Sequence, residues 1–154
     1  NRAIQLREKF SIALVGQCAM LNRLRQYKEA LAACDQAIQG DGQWGEWGAA
    51  QAWNQRGQAL LNLGQSEEAL AAANRAVGIA PNYVEAWSNR SIALWVLKRY
   101  PEAIAATQEA IRLDPTYVSA WFNQATIFRT TQNYTEAIAA YDQVLKLNPR
   151  HVSA

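Results

Sequence analysis

Few side chains in this sequence can do covalent chemistry. The single histidine, His151, lies past the last helix stop, and a lone imidazole there is a solvated residue rather than a base or a ligand. Cys18 and Cys34 are too few for a disulfide framework. The adjacent Glu67 and Glu68 open a helix, where acidic groups favour the positive end of the helix dipole. No phosphate-cradling glycine loop, zinc-ligand pair or nucleophile elbow is present. The expectation is a protein that is not an enzyme, with no cofactor and no metal. What remains is hydrogen bonding: Gln55, Asn89 and Asn123 recur at steps of 34 residues. A carboxamide carries two donors and an acceptor, so such a ladder can pair with the main chain of an extended peptide whatever its sequence. It can equally bond to neighbouring helices or water.

The same step governs the elements that must position those amides. Aligned without gaps, 50–83, 84–117 and 118–151 bring Trp53, Trp87 and Trp121 into register, then Ala69, Ala103 and Ala137, then Pro81, Pro115 and Pro149. An aromatic near the start, a small residue two-thirds along and a proline near the end of a 34-residue unit resemble the tetratricopeptide repeat. The resemblance implies an all-α chain, an α–α superhelix or solenoid of about four helix-turn-helix repeats. It covers most of the sequence.

Composition agrees with helices throughout, because alanine is abundant and β-branched residues are scarce. Fifteen basic and thirteen acidic side chains leave no global charge to attract nucleic acid or a membrane surface. No apolar run is long enough to span a bilayer. Both cysteines fall on small-residue positions of the first repeat, which predicts buried free thiols in preference to a bridge or metal site, and a reducing, cytoplasmic setting.

In chain order, 1–10 reads as a helical extension and 11–49 as a divergent first repeat, with Leu14 at the tryptophan position. Ala30 and Ala69 are 39 residues apart, so five extra residues join the first repeat to the second. They fall in the stretch from Gly40 to Gly48, whose four glycines are expected to break the helix. Trp44 and Trp47 within it are expected to pack on neighbouring helices or to form a contact surface. Later turns are predicted at Gly64–Ser66, Lys98–Tyr100 and Gln132–Tyr134, and helix stops before each proline. The whole of 1–154 reads as one domain. It begins at Asn1, and Val152-Ser153-Ala154 copies Val118-Ser119-Ala120, the pattern expected of a fragment whose parent continues with another repeat.

The tryptophans and alanines are expected in the core. Arg56, Arg90 and Gln124 stand where repeats of this kind carry a large apolar residue. An arginine there can pack its stem while its head finds a carboxylate.

The resemblance also implies where a partner sits, because the first helices of such repeats line a groove for an extended peptide or helix. Carried across by register, the groove positions are Gln51, Asn54, Gln55, Gln58 and Leu61, then Glu85, Ser88, Asn89, Ile92 and Trp95, then Ser119, Phe122, Asn123, Thr126 and Arg129. Family members that clamp a terminal carboxylate use lysines and an arginine besides asparagines. Neither possible frame supplies those cations here, so chaperone tails are not the expected ligands. The leading expectation is a protein-interaction scaffold, with another protein or peptide as partner. The alternative is a structural spacer or self-association module, and an RNA-binding reading fails for want of cations in the groove. The tryptophan-led repeat openings resemble bacterial multi-repeat proteins.

Overall fold

The structure is a computed structural model that describes residues 2–40 and 45–149, with side chains described for 11–40 and 48–149. Among the described residues there are eight α-helices and no strand. They are α1 (Arg2–Arg23), α2 (Tyr27–Gln39), α3 (Gly45–Asn62), α4 (Ser66–Ile79), α5 (Val84–Val96), α6 (Tyr100–Leu113), α7 (Val118–Thr130) and α8 (Tyr134–Leu147). They form two compact units, residues 1–86 and 87–154.

One turn design is used four times. Arg25, Gly64, Lys98 and Gln132 take left-handed φ of 60°, 78°, 60° and 62°. In each case the next amide reaches back over six residues, as from Arg99 to the Leu94 carbonyl and from Asn133 to the Phe128 carbonyl, both 2.9 Å. This satisfies carbonyls left open at the end of the first helix. The same residue then starts the second helix, its carbonyl accepting from Ala30, Ala69, Ala103 or Ala137. The end of each pair is also fixed by sequence. Ala80, Asp114 and Asn148 lie in extended conformations, with φ of −128°, −141° and −141°, because a proline follows each of them. Pro101 occupies the first turn of α6, where its missing amide proton removes no helix bond.

α2 stops at Gln39 with Gly40 as its cap, where the glycines are expected to end a helix, and the five extra residues before the second repeat lengthen the helix that follows. α3 has 18 residues where α5 and α7 have 13, and Gly45 and Gly48 lie inside it. Two helical glycines cost about 1 kcal/mol each, an amount that tertiary packing can override. Trp44 lies outside the described residues, and so does the Trp47 side chain.

In the first unit α1 packs on α2, α3 on α4, and α3 also on α1 and α2; in the second, α7 packs on both α6 and α8. Small residues set the spacing. Ala30, Ala69, Ala103 and Ala137 are all at most 4% exposed. Leu60, Leu94, Ile127 and Val144 are the largest side chains fully enclosed.

Two expectations are corrected. Trp53, Trp87 and Trp121 are half-buried rather than enclosed. Arg56 and Arg90 cover the rings of Trp53 and Trp87 at 5.6 and 5.4 Å, and the Trp121 indole donates to the Pro115 carbonyl. A large ring with a polar edge is satisfied at such a margin. Cys18 and Cys34 are joined in a disulfide, with Cα atoms 5.4 Å apart, and are not free thiols. Both are fully buried, in a cluster with Ala30, Ala33 and Ala59. The bridge crosses from α1 to α2, and the inference of a reducing compartment from free thiols loses its basis.

Candidate functional site

The first helices of the pairs carry the predicted groove residues, and each unit presents its own cavity beside them. In the first unit, Gln51 and Gln55 of α3 line a cavity of about 300 Å³ together with Ile12, Val15, Gly16 and Ala19 of α1, Gly48 and Tyr83. Asn54 does not reach it as an open group. Its side chain is 3% exposed, and its Nδ2 donates to the Tyr83 hydroxyl at 3.2 Å. Gln58 and Glu85 are exposed, and Leu61 is half-buried.

Asn22 fixes the orientation of Gln55. Its Nδ2 donates both to the main-chain carbonyl of Gln55, at 2.9 Å, and to Gln55 Oε1, at 3.0 Å. The Gln55 acceptor is thereby occupied, and its Nε2 donors are the free end.

In the second unit, five predicted residues meet around one cavity of about 260 Å³. Ile92 and Trp95 come from α5, and Phe122, Asn123 and Thr126 from α7; Ser91 and Ile127 are buried beneath. The helical step of three and four residues puts these positions on one face of each helix. Ser88 is buried at 3% exposure and accepts from Asn123 Nδ2 at 2.9 Å, which ties α7 to α5. A second tie runs from the Trp95 indole to the Thr130 hydroxyl, 3.1 Å away. Asn89 is half-buried and already holds an interaction of its own. Arg129 and Ser119 are exposed.

The three residues that follow the tryptophans at the helical step are structural. Arg56 Nε donates to Asp35 at 2.6 Å, an ion pair from α3 to α2. Burial pulls the Arg90 pKa below its ordinary value, against the attraction of Glu102; Gln124 is buried and donates to Thr107 at 3.2 Å. No group of acidic, cysteine or histidine residues able to hold a metal occurs among the described residues. No described helix is long and apolar enough to cross a membrane.

Sequence reasoning left out the contribution of α1 to the first cavity. The signal was present, since subtracting the 39-residue step from 51, 55 and 58 gives Ile12, Gly16 and Ala19.

An all-α chain of paired helices with left-handed turns and proline stops defines a helical repeat of the solenoid class. The chain belongs to the tetratricopeptide repeat family, whose model matches residues 21–84, 54–118 and 92–152. No curated protein sequence matches it. Among solved structures, it resembles a thermophilic tetratricopeptide repeat protein of Thermus thermophilus, with 20% identity, 90% of this chain and 75% of that one covered, and a TM-score of 0.81. It also resembles MamA (41-end) of Desulfovibrio magneticus RS-1, with 21% identity over 91% and 76% of the chains and a TM-score of 0.75. The TPR2B domain of yeast Sti1, in complex with an Hsp70 peptide, shares 27% identity over 66% of this chain and 82% of that one, with a TM-score of 0.63.

Proposed function

We propose that this chain is a protein-interaction scaffold that holds an extended peptide or partner helix against the first helices of its pairs. The observation that carries this reading is the cavity of the second unit, where Ile92, Trp95 and Phe122 leave apolar surface open beside the amide of Asn123. Half-exposed aromatic and aliphatic groups around a depression are what anchor a partner's side chains. The Sti1 domain, bound to an Hsp70 peptide, supports the reading at the level of a peptide partner. The absence of clustered catalytic groups in the sequence is consistent with a non-catalytic role.

The test is direct binding of the intact chain to a random array of dodecapeptides. Ile92→Glu should abolish binding of the selected peptides with little change in melting temperature, whereas Ile138→Glu, on exposed surface of α8, should leave it intact. Peptides that bind Ile92→Glu as well as the parent would refute this site.

A second reading, self-association, is favoured by one feature. Tyr134, Ile138 and Leu145 of α8 are 60%, 63% and 39% exposed at helical spacing, an apolar stripe left open to a partner surface. Light scattering over a concentration series separates the two. A monomer at every concentration removes this second reading and leaves the first standing.

A further inference from the structure

A cavity of about 430 Å³ lies on the first unit, and its walls are Trp53 of α3 with Asn74, Arg75, Gly78 and Ile79 of α4. It is separate from the groove. Trp53 stands two residues from both Gln51 and Gln55, about 200° around the helix, so it leaves α3 on the opposite side. The cavity shares no residue with the one that Gln51 and Gln55 line.

Two donors at this cavity lack acceptors, and the repeat register explains both. In the fourth repeat the Trp121 indole donates to the Pro115 carbonyl, six residues back in the proline turn. Six residues before Trp53 the chain is already inside α3, the lengthened helix, where a carbonyl is spent on the helix itself. The Trp53 indole N–H is left without a hydrogen-bond partner among the described residues, and it is not among the enclosed polar atoms that lack one. Arg75 is the second donor. In the third repeat the same two positions of the second helix carry Glu109 and Arg112, ion-paired at 2.6 Å. Here they are Arg75 and Gly78, so the exposed guanidinium has no partner among the described residues. A Cβ at Gly78 would meet nothing within 4 Å, which leaves open the space that Arg112 fills in register.

The guanidinium and the indole N–H can only donate, whereas Asn74 already holds an interaction of its own. Between 48 and 84 the only carboxylates are Glu67 and Glu68, two turns before Arg75 on α4, and Arg56 is engaged by Asp35. The walls therefore carry one unneutralised positive charge. A guanidinium fork matches a carboxylate with two parallel hydrogen bonds. Trp53 and Ile79 supply apolar wall for a flat body, and the volume falls in the range of small-molecule sites.

We propose that this cavity binds a small planar monocarboxylate. The carboxylate accepts from Arg75 and from the Trp53 indole N–H, and the ring lies against the indole and Ile79 in the space that Gly78 leaves. This site does not depend on the peptide cavity of the second unit.

The test titrates 2-naphthoate, and its uncharged counterpart 2-naphthamide, into the intact 15N-labelled chain. The six tryptophans give separate indole N–H signals, and the one missing in Trp53→Phe belongs to Trp53. Naphthoate should shift that signal with a dissociation constant of about 1 mM, the affinity expected of a ligand of this size. Naphthamide should bind about three- to tenfold more weakly, the worth of a hydrogen-bonded charge at a partly exposed site. Arg75→Met should lose the same factor. Gly78→Glu should bind least, because the new carboxylate fills the cavity and pairs with Arg75 at the spacing that Glu109 and Arg112 use. Both positions are exposed, and replacing a helical glycine favours the helix, so melting temperatures should stay at or above that of the parent. No shift of the Trp53 signal up to about 10 mM, equal binding of the acid and the amide, or undiminished binding by Arg75→Met or Gly78→Glu would each overturn the proposal.

Discussion

Lys98 and Gln132 hold the same left-handed backbone conformation, φ 60° and 62°, at the same point of successive repeats, where Gly64 does so at 78°. A side chain at such φ crowds the backbone, and only glycine is free of that penalty. The turn is retained because the amide of the next residue closes on the carbonyl of Leu94 or Phe128. Lys98→Gly and Gln132→Gly should each raise stability by about 0.5–1 kcal/mol, a gain reduced by the greater freedom of glycine in the unfolded chain. Gly64→Ala should cost about 1 kcal/mol although a Cβ there meets nothing within 4 Å beyond its chain neighbours, so the loss comes from the local backbone and not from packing. Urea midpoints at constant m-value measure all three. A destabilised Lys98→Gly would show that its side chain supports the turn.

The Cys18–Cys34 bridge closes a separation of 16 residues and is wholly enclosed. Constraining a loop of this length stabilises a fold by about 3 kcal/mol. Alkylation of the native protein without reductant should leave both residues unmodified, as mass spectrometry will show. Cys18→Ala with Cys34→Ala should lower unfolding free energy by about 2–4 kcal/mol. An undiminished value would show that alanine packing alone holds the first helical pair.

Much of the architecture was legible because it repeats. The 34-residue step located the turns, the proline stops and the buried alanines, and it grouped Ile92, Trp95, Phe122, Asn123 and Thr126, which share one cavity. Single features were harder to read. Glycines around residue 45 spoke locally for a break, yet α3 incorporates two of them, since a propensity of about 1 kcal/mol yields to packing. The count of cysteines hid the bridge although a signal for it existed: Cys18 and Cys34 each lie eight residues from Gln26, and residues equidistant from a hairpin turn face each other. The polarity of Gln55 and Asn123 was not legible, because Asn22 and Ser88 set it from other helices.

Arg56 links two helical pairs, donating to Asp35 on α2 while lying over the Trp53 ring on its own helix. The Arg56 side chain is 24% exposed and that of Asp35 39%, so part of the attraction is lost to solvent. A double-mutant cycle of Arg56→Met and Asp35→Asn should return a coupling of about 0.5–1 kcal/mol. The same cycle on Arg99 and Glu102, an exposed pair within one helical turn, should return less. Equal couplings would mean that the connection between pairs adds nothing to the ion pair.

Acid should weaken the second unit, with a direction set by three carboxylates. The Arg99 hydrogen bond lowers the Glu102 pKa, and the Arg112 hydrogen bond lowers that of Glu109. The Thr116 hydroxyl, with its amide, lowers that of Asp114. A carboxyl whose pKa is lower folded than unfolded adds stability above the unfolded value and loses it as pH falls through the folded one. The losses therefore begin near the ordinary values of 4.5 for the glutamates and 3.8 for Asp114, and run to completion below them. Asp114→Asn keeps an acceptor for Thr116 but gives up the charge. Its deficit in melting temperature at about pH 7 should shrink as pH falls below 3.8 and the parent carboxyl itself takes up a proton. Added salt separates the causes, since it screens the Arg99–Glu102 attraction but not hydrogen bonds from the uncharged Thr116. A deficit in Asp114→Asn that is the same at every pH would refute the charged acceptor as its source.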